Sequence, residues 1–431
     1  MTDTQAVLQD MREELETDSN SLRKISADFC EEMKISAAGR KSSLQMLPSF
    51  LDLPDGFETG RFLALDFGGT NVRAMLVELG NRSSAVLKQR SAPLRDPDGK
   101  YDYTAKDSSA EELFDFLARL VSSVAEGELV YYLGHTFSFP CHQTSLSQTK
   151  LIRWTKEIAT PGVEGQGVGE LLQAAFHRLH SRIVQTVILN DTVGTLLAAS
   201  YADPSVEIGS ICGTGHNTCF RDKGNNGVQP MIRNLESGNF SKVSMSVYDR
   251  QLDAASEKPG EQRLEKMVGG QYLGEIVRMM AMNAAAAGAL SAGGADDLIQ
   301  PYCLTTADLA FFMYPALFDR PKKGPHLSVQ DEKIVAVLAN LVCRRSARLA
   351  AATYVGILKY LDFNLTGVHT IGVDGSLYTK LPGYAAQLQE AVKEILPERS
   401  GTVRIVAARD GSGIGAAIAA AIATRQKYFD S

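Results

Sequence analysis

The chain has 431 residues, too many for one ordinary hydrophobic core and suited to two domains. Hydrophobic residues make up 44% and charged residues 22%, the balance of a globular protein that buries its own core. The formal net charge is -6 and no basic run exceeds Lys322-Lys323, which argues against nucleic acid or an anionic membrane as partner and requires any bound phosphate to be held locally.

The six cysteines, Cys30, Cys141, Cys212, Cys219, Cys303 and Cys343, form no CxxC pair and no zinc spacing. Buried thiols in a reducing, cytoplasmic setting are expected. The acidic, polar N-terminal segment reads as neither a signal nor a transit peptide. The longest apolar stretch, 281–290, is too short to span a bilayer.

In chain order, residues 5–50 read as helices of mixed charge, followed by a Pro54-Asp55-Gly56 turn. Residues 62–66 and 72–79 are β-like runs joined by Phe67-Gly68-Gly69-Thr70-Asn71, with a third strand at 86–90. A helix is predicted over 110–124, a buried strand over 129–133, and a strand over 186–189 that runs through Asn190-Asp191 into a helix over 192–201. The plan then starts again. A strand at 207–212, the turn Gly213-Thr214-Gly215 and a strand at 217–221 repeat the strand–turn–strand unit, which suggests two domains on one design. Long helices are predicted over 262–285 and 331–361, a flexible Ala/Gly stretch over 284–294, short strands at 370–373 and 403–407, and a closing Ala-rich helix over 413–424. Strands alternating with helices indicate an α/β fold, with Gly-rich turns at the strand ends where such folds place ligands.

Asp66 to Asn71 is a candidate phosphate turn. Several N–H donors must converge on a phosphate, and glycines let the backbone come close enough; Thr70 adds a hydroxyl, and Asp66 at the strand end suits hydrated Mg²⁺. Gly213-Thr214-Gly215 carries the same chemistry, and two such turns on facing domains could clamp one polyphosphate. Asn190-Asp191 has two readings, a helix N-cap or a carboxylate base. Gly411-Ser-Gly-Ile-Gly-Ala416 follows a strand and opens a helix, but no second strand follows to complete a dinucleotide-binding unit. It reads instead as a turn against an adenosine or as close helix–strand packing. The pattern GxxxxGK[ST] is absent. The seven histidines form no HxxH or HExxH group, and His216 beside the second turn reads as a surface loop residue.

Taken together, these motifs resemble the eukaryotic-type hexokinase family, as a single catalytic unit, from about Met46 to Thr424. The resemblance rests on Leu63-Ala-Leu-Asp-Phe-Gly-Gly-Thr-Asn-Val-Arg73, Phe137-Ser-Phe-Pro-Cys141, Trp154-Thr-Lys156, Asn190-Asp-Thr-Val-Gly-Thr195 and Gly213-Thr-Gly-His-Asn217. It continues through Glu265-Lys-Met-Val-Gly-Gly-Gln-Tyr-Leu-Gly-Glu275, Gly372-Val-Asp-Gly-Ser-Leu-Tyr378 and Asp410-Gly-Ser-Gly413. It implies an actin-like ATPase (ribonuclease H-like) α/β fold with two domains around a deep cleft. The small domain would be 58–190 plus 411–431 and the large domain 1–57 plus 191–410. It also implies transfer of a phosphoryl group from ATP, with Mg²⁺, to the 6-hydroxyl of a hexose. Asp191 and Lys156 would be catalytic, and Ser138, Phe139, Pro140, Thr155, Lys156, Asn190, Asp191, Asn217, Glu236 and Glu265 would form the sugar site. Asp66, Gly68, Gly69, Thr70, Asn71, Arg73, Gly213, Thr214, Gly215, Gly375, Ser376 and Ser412 would serve the nucleotide. Mg²⁺ would be held through phosphates and water near Asp66 and Asp191. Both a monomer and a homodimer are compatible with the chain.

The chain departs from the family pattern at two places near the sugar site. Ser237-Gly-Asn-Phe-Ser241 replaces an aromatic residue and a Gly-Ala-Phe-Gly run, and Gly269 stands where the family more often has Ser.

Overall fold

The computed structural model describes residues 3–69, 71–127, 130–155, 158–224, 229–408 and 410–429; Thr70, Lys156 and Leu129 lie outside the described residues. Two open mixed sheets organise the chain. The first runs in the order Ser83–Pro93, Asn71–Gly80, Gly60–Phe67, Tyr131–Phe137 and Ile183–Leu189. The first three strands are antiparallel neighbours and the last two are parallel additions. Strand Gly60–Phe67 is nearly all apolar because both of its faces are covered. Leu63, Leu65 and Phe67 point into a core with helices Ala110–Ser122 and Val168–Arg178, while Phe62 and Ala64 point the other way. That alternation is the two-residue period of a strand. Helix Ala110–Ser122 starts at a reciprocal Ser109/Glu112 capping box.

The second sheet runs in the order Leu47–Pro48, Met231–Asn234, His216–Asp222, Val206–Cys212, His369–Asp374 and Val403–Ala407. Its helical layer centres on Val329–Leu361, 33 residues long, against which Ser19–Ala37, Gly270–Ala286 and Tyr384–Ile395 pack. Arg345 on the long helix meets Asp249 on helix Val247–Ala255 in a buried bidentate pair, with both bonds at 2.7 Å.

A third core joins the two sheets. Helix Asp191–Ala202 leaves the first sheet and crosses helix Gly411–Phe429, whose Ala416, Ala417, Ile418, Ala419, Ala420 and Ala421 are buried in one cluster with Phe62, Ala64 and Met75. The crossing is very close. A Cβ at Gly415 would lie 2.0 Å from the Gly194 carbonyl oxygen, so only glycine fits. Close packing is therefore what the Gly411–Ala416 run provides.

Several boundaries differ from the sequence expectation. The predicted helix 262–285 is two helices, Arg263–Val268 and Gly270–Ala286, broken at Gly269, whose ψ of 136° is extended. The Ala/Gly stretch ends the second of these and then forms a short helix, Ala292–Asp297, capped by Ser291. The strand expected at 86–90 extends over Ser83–Pro93, paired along one edge only and exposed along most of its length, so its polar residues hid it. Among the described residues no helix is long and apolar enough to cross a membrane.

Candidate active site

The first glycine turn closes the hairpin between Gly60–Phe67 and Asn71–Gly80, where Asp66 and Arg73 are cross-strand partners. Asp66 Oδ2 accepts from Arg73 Nη2 at 3.1 Å and from Ser412 Oγ at 2.7 Å. Arg73 Nη1 reaches Asp410 at 2.7 Å. The start of helix Gly411–Phe429 is thereby fastened to the turn, and Thr136 Oγ1 adds a bond to the Ser412 carbonyl at 2.8 Å. Asp374, at the end of strand His369–Asp374, joins the same place. It accepts from Gly411 N at 2.9 Å and Gly375 N at 2.6 Å. Burial nevertheless holds its carboxyl above the usual carboxylate range. Sequence reasoning passed over Asp374; the signal was an acidic residue at a strand end directly before glycine.

The second turn, 213–215, is braced by backbone. Gly213 N bonds the Gly215 carbonyl at 3.0 Å, and the first amides of helix Gly270–Ala286 donate to the turn: Gly270 N to Gly213 O at 2.8 Å and Gln271 N to Thr214 O at 3.0 Å. Gly269 permits this approach. A Cβ there would lie 2.9 Å from the Thr214 oxygen and 3.2 Å from the Gly215 Cα. Gly375 packs on the other side, its Cα 3.4 Å from a Cβ built on Gly213. The two turns are therefore linked through Asp374–Gly375 and Gly411–Ser412, which brings together the expected nucleotide residues that are described; Thr70 lies outside them. Asn71, Thr214 and Ser376 are exposed at this place.

On the sugar side, Asn190 rather than Asp191 is the N-cap of helix Asp191–Ala202. Asn190 Oδ1 accepts from Thr192 N at 2.9 Å. Asp191 is the first helical residue, its Oδ1 2.8 Å from Thr192 N, where the helix N-terminus favours a negative charge. The Thr192 hydroxyl also bonds Asn190 Oδ1, and Asn217 Nδ2 donates to Thr192 Oγ1 at 3.0 Å and to Asn234 Oδ1 at 2.9 Å. Asn234 Nδ2 donates to Glu236 Oε1 at 2.7 Å. Glu236 sits in the left-handed region, φ 51°, a costly conformation for a non-glycine residue. Glu265 Oε2 accepts from His216 N at 3.1 Å. Thr192 and Asn234 are members of this group that sequence reasoning did not single out.

Ser138 follows strand Tyr131–Phe137, and its N–H bonds the Phe67 carbonyl at 3.2 Å, so the Phe-Ser-Phe-Pro motif lies directly beside the first turn. The Phe139 ring is buried against Phe67, Phe137 and Trp154, with centroids 4.7–5.1 Å apart. Pro140 carries the loop onward, its carbonyl accepting from Ile152 N at 2.9 Å. Trp154 is anchored by its indole N–H to the Thr160 carbonyl at 2.8 Å, and the neighbouring Thr155 carbonyl accepts from Ile158 N at 3.4 Å. Cys141 is pushed up to about 12 by burial, with the charge of Glu236 adding to it.

His216 is a correction. It is buried, it opens strand His216–Asp222, and Nδ1 lies 3.0 Å from the Ile211 carbonyl; burial lowers its pKa to about 4. A histidine on the inward face of a strand resembled a loop residue only because the turn before it is so short.

Two family models, each described as Hexokinase, match residues 7–201 and 207–422. Hexokinase-7 of Oryza sativa subsp. japonica is 35% identical over 447 residues, covering 95% of each chain. Hexokinase-1 of Arabidopsis thaliana is 34% identical, covering 96% of this chain and 90% of the relative. A solved hexokinase superposes with a TM-score of 0.84 at 32% identity, over 98% of this chain and 100% of that one. Hexokinase from Schistosoma mansoni complexed with glucose gives 0.80 at 29% identity, with the same coverage. The two sheets, their joining helices and these likenesses establish the actin-like ATPase fold, and the chain belongs to the hexokinase family, phosphotransferases that use ATP to phosphorylate a hexose.

Proposed function

We propose that the protein transfers the γ-phosphoryl group of ATP to the 6-hydroxyl of D-glucose, with Asp191 as general base. The observation that carries the reading is the division of labour at the start of helix Asp191–Ala202: Asn190 supplies the cap, so the neighbouring carboxylate is not required for it. Asp191 takes the proton of the 6-hydroxyl as its oxygen attacks the γ-phosphorus in line. The O6–P bond forms, the bond to the β–γ bridging oxygen breaks, and ADP leaves. Asp66 and Asp191, whose carboxylates are the hard oxygen donors Mg²⁺ prefers, would hold the ion through water and phosphates, and it would supply charge neutralisation there. Lys156, outside the described residues, is assigned by the family resemblance to the same task.

Hydroxyls of the sugar meet Ser138, Thr155, Asn190, Asn217, Glu236 and Glu265, a set of donors and acceptors that an apolar ligand would leave unpaired. The small domain is 58–190 plus 411–431 and the large domain 1–57 plus 191–410; packing of helix Gly411–Phe429 on the first sheet supports this division. Closure of the domains on sugar excludes water as a competing acceptor. The setting is cytoplasmic. A coupled assay of ADP release across glucose, fructose, mannose and glucosamine tests the reading, with glucose expected to have the highest kcat/KM and glucose 6-phosphate as product. A higher kcat/KM for another hexose removes the glucose assignment, and no ADP release with any hexose removes the activity.

A further inference from the structure

The strand that leads into the second glycine turn carries a buried polar string that the chemistry above does not use. Ser210 and Cys212 lie on strand Val206–Cys212, Ser346 and Tyr354 on the long helix Val329–Leu361, and Tyr384 opens helix Tyr384–Ile395. All five side chains are buried. Backbone carbonyls only accept, and they settle the direction of each bond. Ser346 Oγ gives its one proton to the Val268 carbonyl at 2.8 Å, so the 2.8 Å bond between Ser346 Oγ and Tyr384 Oη is donated by Tyr384. Ser210 Oγ gives its proton to the Asn217 carbonyl at 3.2 Å, so Tyr354 Oη donates to Ser210 Oγ at 2.7 Å. Tyr354 then has no proton left, and its 3.2 Å contact with Cys212 Sγ is donated by the thiol. Burial pushes that thiol up to about 11, so the proton is there to give. Tyr384 Oη comes within hydrogen-bonding reach of the same sulfur, so the two strings meet at Cys212.

The strings end on the segments that support the turn. Val268 directly precedes Gly269 and Gly270, and Gly270 N holds the Gly213 carbonyl. Cys212 directly precedes Gly213, and its carbonyl oxygen would lie 2.4 Å from a Cβ built on Gly375. Ser346 and Tyr354 stand at i and i+8 within one stripe of the same helix. One helix therefore grips both segments, Ser346 at the Val268 end and Tyr354 at the Cys212 end. The direct brace of the turn is backbone on backbone, and the buried string sets those two backbones at the spacing the brace needs.

We propose that Tyr354, Cys212 and Tyr384 are positioning residues for the nucleotide, acting through the backbone of the second glycine turn without touching the ligand. This rests on the phosphoryl-transfer reading above. A buried hydroxyl or thiol left without its partner relaxes by shifting its neighbours, and a turn that must present its donors to a phosphate is sensitive to such shifts.

The test uses Tyr354→Phe, Tyr384→Phe, Cys212→Val and Cys212→Ser in the full chain. Thr353→Val is the control: that hydroxyl is buried on the same long helix but bonds the Ala350 carbonyl of its own helix. Calorimetric binding of the non-hydrolysable analogue AMPPNP with Mg²⁺, calorimetric binding of glucose, turnover and melting temperature are read. Tyr354→Phe, Tyr384→Phe and Cys212→Val should each raise the Kd for AMPPNP and the KM for ATP roughly five-fold, with the Kd for glucose within about two-fold of wild type. Cys212→Ser, which keeps a donor, should recover most of the nucleotide affinity. Thr353→Val should lower the melting temperature and leave nucleotide affinity unchanged. Wild-type nucleotide affinity in folded Tyr354→Phe and Tyr384→Phe overturns the proposal; should neither fold, the same result in Cys212→Val does so. An equal loss of glucose and nucleotide affinity, or an equal nucleotide loss in Thr353→Val, marks general loosening and overturns it as well. A wild type that binds AMPPNP without turnover sinks the kinase reading alone, because the AMPPNP affinities of the variants still decide the proposal; one that binds no nucleotide sinks both.

Discussion

The two glycine turns share a composition and are held in different ways. The first is buttressed by side chains: Asp66, Arg73, Ser412 and Asp410 form a chain of charged and hydroxyl contacts from the hairpin to helix Gly411–Phe429. The second is buttressed by backbone, the amides of Gly270 and Gln271 donating to its carbonyls across a gap that Gly269 keeps narrow. One support is electrostatic and responds to charge and salt; the other is steric and responds to volume. Phosphoryl transfer depends on position more than on covalent chemistry, so failure of either support should appear first in the use of ATP.

The largest effect is expected at the second turn. Gly269→Val sets a branched side chain where a Cβ is already 2.9 Å from Thr214 O, and kcat/KM for ATP should fall about 100-fold, the consequence of roughly 1 Å of misplacement. A loss under three-fold would show that the turn gives way freely and would remove the steric half of the comparison. At the first turn Arg73→Ala should lower the same parameter about ten-fold by unpairing two carboxylates. Added salt should narrow the gap between wild type and this variant but not the gap for Gly269→Val. Ser412→Ala removes one bond to Asp66 and should reduce kcat/KM for ATP about five-fold, near 1 kcal/mol.

The smallest effect on turnover belongs to the opposite end of strand His369–Asp374. Asp374 serves the turns, whereas His369 bonds Glu207 through Nδ1 and lies 3.4 Å from Asp362 through Nε2. The Glu207 bond leads the contributions that raise the His369 pKa above its ordinary value. A raised pKa contributes stability that is complete below the unfolded value, about 6.5, and is lost as pH rises through the folded value. His369→Gln should therefore lower the melting temperature at pH 6, lower it less at pH 9, and leave ATP kinetics unchanged. Equal destabilisation at both pH values would contradict the pairing.

Much of this arrangement is legible in the sequence. Both glycine turns and the Asn190-Asp191 junction announce themselves through strand–turn periodicity and residue chemistry, and the Phe-Ser-Phe-Pro motif through the family resemblance. What stays hidden has a physical reason. The bracing of the second turn is made of backbone atoms and the absence of a side chain at Gly269, which no residue type spells out. Thr192 and Asn234 look like ordinary polar residues until the fold sets Asn217 between them. His216 changes from loop to core because one residue of strand parity decides which face it takes. Asp191 is separated from the capping role only by the geometry of its neighbour, since either residue type caps helices well.

The central claim is that Asp191 handles the proton while other groups bind the sugar. Titration calorimetry with glucose and pre-steady-state phosphoryl transfer from ATP, measured together on Asp191→Ala, test it most directly. Glucose affinity within about three-fold of wild type, with the rate of transfer reduced at least about 100-fold, is the predicted result. A transfer rate within a few-fold of wild type would contradict it.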